Sequence, residues 1–202
     1  MRTGFAEALL REAFIAIRDV RARRRQERGL QPGDAARGLG KLLVVAPDQT
    51  TARHYLGVIR GWLPEAQADE TARLATSDTP RAHEILASFR LRPEPSILVT
   101  VAMAYEGLDA PDVAVVAALT HIRSRAWLEQ MVARATRVDP RAGPYETQQA
   151  LVFHPDDPLF AVFRRRMEYE QGTLARPKAR RKQSALPWRC ASTRCGLDPS
   201  WR

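Results

Sequence analysis

Apolar residues recur at spacings of three and four over residues 4–28: Phe5, Leu9, Leu10, Phe14, Ile17 and Val20. That spacing predicts one amphipathic helix. It ends in "RARRRQERG", with Gly29 as the stop signal, and "LQPGDAARGLG" follows as a loop. Beyond residue 40 the period changes. "KLLVVAP" (41–47), "ARLATS" (72–77), "SILVTVA" (96–102), "VAVVAAL" (113–119) and "QALVFHP" (149–155) are short apolar runs, expected as buried strands. Between them lie helical patterns at 50–63, 79–91 and 124–138, with a closing helix at 157–172. Thr79 is expected to cap the 79–91 helix, with Pro80 at its first position.

Strands that alternate with helices imply right-handed crossovers and a parallel sheet covered on both faces. Continuous V/L/A/I runs fit strands buried on both sides. The expected architecture is therefore three-layer α/β. A first segment, 1–40, is a helix and loop, 41–171 is the folded unit, and 172–202 is a basic tail without periodicity, expected to be disordered.

Composition changes this picture in one respect. The net charge of +9 is uneven. Residues 172–202 carry eight Arg or Lys and one acid, and residues 1–40 carry nine basic and five acidic side chains, which leaves 41–171 at −2. The high isoelectric point belongs to the two ends, and favours polyanions without sequence preference. No apolar run reaches the ~18 residues that a membrane span needs, and the N-terminus lacks a signal peptide's apolar centre. A cytoplasmic location without membrane association is expected. Cys190 and Cys195 have neither the spacing nor the second pair of a zinc site, and no metal site is assigned.

Two segments carry candidate chemistry. "MAYEGLDAP" (103–111) follows the third strand and places Glu106, Gly107 and Asp109 in an otherwise apolar stretch. "EQMVARATR" (129–137) follows the fourth. On a continuous helix Gln130, Arg134 and Arg137 share one face, beside the small Ala133 and Ala135. Two guanidinium forks on one face suit a polyphosphate. The plainer reading is a solvated face with Arg134 or Arg137 paired to Glu129 or Asp139. Both segments are expected beyond the carboxyl ends of the strands, where ligands bind in such sheets.

In order, these segments resemble the second RecA-like lobe of superfamily-two helicases and translocases. "KLLVVAPDQTTARHYLGVI" looks like motif IV, and "RLATSDTPRAHEILASFR" like the strand, Ser/Asp loop and helix that follow it. "ILVTVAMAYEGLDAPDVAVV" is similar to motif V, and "QMVARATR" to motif VI, usually Q-x-x-G-R-x-x-R. The M-x-x-E-G-x-D-x-P form of 103–111 resembles the bacterial and phage DNA-helicase branch more than the DEAD-box RNA branch. The resemblance covers about 41–170 and implies a RecA-like domain preceded by a connector helix. It implies that Arg134 and Arg137 are arginine fingers for an ATP γ-phosphate, with Gln130 helping to place them. Glu106, Gly107 and Asp109 would line the ATP-side cleft. Gln49, Ser77 and Thr100 would face the nucleic-acid backbone, with DNA as the partner. Ala133 departs from the family's Gly.

The same resemblance exposes what is missing. ATP and Mg²⁺ need a G-x-x-x-x-G-K-[ST] loop and a D-E-x-x strand end. "GLGKLL" (38–43) lacks the Gly spacing and the Ser/Thr, and "ADET" (68–71) follows no apolar strand. The chain is therefore expected to bind ATP and Mg²⁺ only with a first lobe supplied in trans or by a missing part of the gene, and to be inactive as an ATPase alone. The alternative is a non-catalytic nucleic-acid-binding or protein-interaction module. A different α/β enzyme using the 103–111 loop on a phosphorylated ligand lacks any Gly-rich fingerprint.

Overall fold

The computed structural model describes residues 3–31, 33–101, 108–122, 124–135, 137–155, 158, 160–163, 165, 166, 169 and 188–190. Helix α1 (Thr3–Glu27) leads into β1 (Lys41–Ala46), α2 (Gln49–Gly61), α3 (Glu65–Thr71), β2 (Ala72–Ala75), α4 (Ala82–Leu91) and β3 (Ile97–Val101). Then follow β4 (Val113–Ala118), α5 (Arg125–Ala135), a 3₁₀ turn (Tyr145–Thr147), β5 (Ala150–Phe153) and β6 (Trp188–Cys190). The described residues between 158 and 169 are helical.

The strands form one parallel sheet in the order β2-β3-β1-β4-β5-β6. β1 and β4 lie in the middle and are buried at every position, which is why they read as unbroken apolar runs. Alternate residues of β1 serve two cores. Leu42, Val44 and Ala46 pack with α1 and α2, while Leu43 and Val45 pack with α4, α5 and residues 160 and 163. The β1–β2 crossover through α2 runs over the first face, and the β2–β3 and β4–β5 crossovers through α4 and α5, which run the other way along the sheet, over the second, so these three share one hand, as parallel connections require. An irregular register between Lys41 and Leu42 pairs Lys41 with Val113 but Leu42 with Val115. The extra residue sends both Ala114 and Val115 to the α1 side.

Four expectations are revised. The apolar stripe of α1 (Ala6, Leu9, Leu10, Ala13, Phe14, Ile17, Val20) lies within the first core, so the helix is a layer of the fold and shares its core with 41–171. Thr79 does not cap α4. Its hydroxyl accepts from the Thr76 N–H (3.1 Å) and closes a 76–79 turn, and the helix starts at Ala82 behind Arg81, which takes a left-handed φ of 56°. The polar α3, "EAQADET", escaped the periodicity because only Ala68 is buried. Within the tail expected to be disordered, Trp188–Cys190 pair in parallel with Ala150–Val152. The rest of 172–202 lies outside the described residues.

Lys41 opens β1 with its side chain inside the protein, 2% exposed. Its N–H donates to the Asp112 carbonyl (2.8 Å). Its ammonium donates to the carbonyls of Phe89 and Arg92 (2.6 Å to the latter) and lies 3.4 Å from an Asp112 carboxylate oxygen. Burial pushes the Lys41 ammonium down from its usual range and the Asp112 carboxyl up from its own, and each charge partly offsets the other's shift. Breaking such a pair leaves one uncompensated buried charge. Asp112→Ala is therefore expected to lower unfolding free energy by about 3–5 kcal/mol, whereas the double change Lys41→Met/Asp112→Leu recovers most of the loss. Urea denaturation of the three chains checks this, and an Asp112→Ala chain as stable as the parent would contradict it.

Candidate functional site

The sheet has two ends, and the topology sends the candidate residues to both. At the carboxyl end, Asp48 follows β1 and caps α2: Oδ1 accepts the Thr51 N–H and Oδ2 the Thr51 hydroxyl, both at 2.8 Å. The cap fixes Gln49 as the first helical residue. Beside it, the 76–79 turn after β2 presents Ser77. The Gln49 amide donates to Ser77 Oγ at 2.9 Å, and the Ser77 hydroxyl lies 3.3 Å from Asp78 Oδ1. Arg53, one turn beyond Gln49, places a guanidinium nitrogen 3.8 Å from Asp78 Oδ2. Arg53 and Asp78 are both more than half exposed, so the attraction is weak and readily exchanged. Gln49 and Ser77 therefore meet at this end of the sheet. Arg53 was missed, although its i,i+4 spacing from Gln49 was visible in the sequence.

Thr100 does not join them. It is 1% exposed, and its hydroxyl donates to the Ala75 carbonyl across the β2–β3 ladder (2.8 Å). A hydroxyl has one proton to donate, and here it goes to the sheet.

The second cluster lies near the amino end, not beyond the carboxyl ends. α5 connects two parallel strands, so it runs back against them, and its C-terminus reaches the edge where β5 begins. The segment before β4 also descends, since Asp112 bonds the first residue of β1. Asp109 and Arg137, 28 residues apart, meet there in an ion pair, 61% and 44% exposed. Arg137 is thus paired with Asp109 and not with Asp139. The single helical face also needs revision. α5 stops at Ala135, so Arg134 is its penultimate residue and Arg137 stands past its end. Gln130 is exposed on α5, seven residues before Arg137. The Arg134 side chain, Glu106 and Gly107 lie outside the described residues.

Arg137 is placed by the loop that follows α5. Asp139 is buried; its Oδ1 accepts the Arg141 N–H (3.0 Å). The Gln148 side chain accepts from the Asp139 N–H (3.0 Å) and donates to the carbonyls of Asp139 (2.8 Å) and Gly143 (2.9 Å). An exposed carboxylate–guanidinium pair is worth under about 1 kcal/mol, and a multiply charged phosphate is a stronger partner for the same fork. Neither rejected phosphate motif gains support from the structure. Lys41 of "GLGKLL" is buried and engaged with Asp112, and "ADET" lies on α3.

No family model matches the chain, and no curated protein sequence matches it. Among solved structures it is similar to domain 2 of the DEAD-box helicase Mss116p bound to an RNA duplex, at 17% identity and a TM-score of 0.48, over 81% of this chain and 56% of that one. It is also similar to the Pyrococcus furiosus Hef helicase domain, at 18% identity and a TM-score of 0.44, over 78% of this chain and 28% of that one. The chain thus spans little more than half the length of the first and less than a third of the second.

The Asp48 cap gives a test of the carboxyl end. Its bonds from Thr51 hold the Asp48 carboxyl below the usual carboxylate range. A depressed native pKa contributes stability in full above the unfolded value of ~3.9, lost as pH falls through the native one. Asp48→Ala is expected to cost about 1 kcal/mol at pH 7. The gap between the two chains should close as pH falls below about 4. Urea midpoints across pH 2–7 decide it, and a gap that persists at the acid end would exclude the cap as its source.

Proposed function

We propose that this chain is the C-terminal RecA-like lobe of an ATP-dependent DNA helicase or translocase, working with a first lobe that holds ATP and Mg²⁺. The observation that carries the reading is the Asp109–Arg137 pair. Two segments with the pattern of motifs V and VI converge on one exposed, exchangeable guanidinium. In this reading the γ-phosphate displaces Asp109 from Arg137. Arg134 and Arg137 then stabilise the charge that develops during phosphoryl transfer. Asp109, Glu106, Gly107 and Gln130 line the ATP-side cleft. At the opposite end of the sheet, Gln49, Ser77 and Arg53 offer an amide, a hydroxyl and a guanidinium to a nucleic-acid backbone. Contacts of that kind position a strand without reading its sequence. DNA is preferred over RNA because of the 103–111 pattern.

The chain alone is expected not to hydrolyse ATP. Combined with a first lobe, Arg137→Ala should lower kcat by about 10³-fold or more, with DNA affinity little changed. Arg53→Ala should do the reverse, weakening DNA binding about equally across sequences and reducing its salt slope by about one unit. DNA-stimulated hydrolysis by the chain alone, or hydrolysis indifferent to Arg137, would overturn the reading.

A second reading is favoured by the charge distribution, with +7 in residues 172–202 against −2 in 41–171. It makes the chain a DNA-binding module without catalysis. Neutralising Arg176, Lys178, Arg180, Arg181 and Lys182 would then abolish salt-dependent binding, and Arg53→Ala and Arg137→Ala would leave it unchanged.

A further inference from the structure

A buried carboxylate follows each member of the exposed pair. Asp112 stands three residues after Asp109, and Asp139 two residues after Arg137. They are 4% and 2% exposed. Asp112 is held by Lys41 at both backbone and side chain. Asp139 is held by Arg141 and, at its N–H and carbonyl, by Gln148. Its second oxygen, Oδ2, is buried and has no hydrogen-bond partner among the described residues.

The Arg141 guanidinium lies 3.8 Å from Asp139 Oδ1 on the solvent side, nearly half exposed. A second cation, Arg24, serves the same loop from inside. It occupies the position after Val20 on the inward stripe of α1 and is 6% exposed. Burial pushes its guanidinium down from the usual range, and the Asp139 charge partly offsets that shift. Its Nη1 donates to the Gly38 carbonyl (3.2 Å). Gly38, at φ +81°, lies directly against the loop after α5: a Cβ there would come within 2.7 Å of the Arg141 Cβ and carbonyl oxygen. Helix α1 and the 36–40 loop therefore clamp residues 139–141, and Arg137 is two peptide bonds from the clamp.

We infer that Arg24, acting through Gly38, and Asp139, acting through Arg141 and Gln148, are positioning residues that together fix the segment after α5 and so aim the Arg137 guanidinium at the place Asp109 occupies. Lys41 and Asp112 fix Asp109 in the same manner. The inference rests on the reading of Arg137 as a phosphate-contacting residue. It adds that the N-terminal helix, distant in sequence from the candidate motifs, determines whether that residue is aimed.

The test is side-chain NMR of the full chain labelled with ¹⁵N-arginine, with the Arg137 Nε–H signal assigned by its loss in Arg137→Lys. The parent should show a discrete Arg137 signal. Asp139→Asn and Arg24→Met should each shift it toward the envelope of exposed arginines or broaden it away. Asp48→Asn, at the other end of the sheet, should leave it in place. The double variant should move it by less than the two single effects combined. A signal unmoved in both single variants overturns the inference. Where Asp139→Asn does not fold, Gly38→Ala and Arg24→Lys replace it, since both retain every charge of the cluster while disturbing the clamp. An unmoved Arg137 signal in either folded chain is equally decisive against it. Titration with tripolyphosphate separates the two claims. A parent chain whose Arg137 signal ignores tripolyphosphate counts against the phosphate-contacting reading, whatever the variants do to that signal.

Discussion

The amino-terminal edge of the sheet is held by charges taken out of water. Lys41 begins the central strand with its ammonium inside the protein, where its partners are Asp112 and two carbonyls of the α4 end. An ammonium buried without such partners would cost several kcal/mol. The pair therefore requires β1, the start of β4 and the end of α4 to meet at one point. The strand register, the two cores above it and the descent of the 108–112 segment follow from that meeting.

A parallel sheet gives its two ends different neighbours. Segments that leave strands gather at the carboxyl end, and segments that enter strands gather at the amino end. Gln49 and Ser77 follow β1 and β2, and share the first end. Asp109 and Arg137 precede β4 and β5, and share the second. The Gln49–Ser77 contact and the Asp109–Arg137 pair are thereby separated by the length of the strands.

Fixity and exchange are also arranged in order. Asp112 and Asp139 are buried, and replacing either partner of a buried pair carries a large cost. Asp109 and Arg137, a few residues away, are exposed, and their attraction is screened by water. The backbone is held by strong interactions while the guanidinium is left with a weak one.

The period of the apolar residues was enough to determine the strand–helix alternation, the parallel sheet and the inward stripe of α1, because burial on a sheet or helix face imposes those periods locally. Asp109 and Arg137 were singled out, separately, by residue type and order, and Gln49 and Ser77 only through the family resemblance. Their meeting depends on which strand ends lie side by side. Three features had no local signal. Arg24 and Lys41 look like solvated cations in sequence, and only the packing of α1 and β1 against residues distant in sequence makes them interior. α5 ends before Arg137, and the loop beyond it is tied through Asp139 and Gln148, nine residues apart. Thr100 looked available until its neighbour β2 took its proton. Sequence by itself determined which faces are apolar, because a side chain's hydrophobicity belongs to the residue. Only the tertiary structure decided which charges are buried and which are free to exchange, because desolvation and pairing depend on residues brought together from far along the chain.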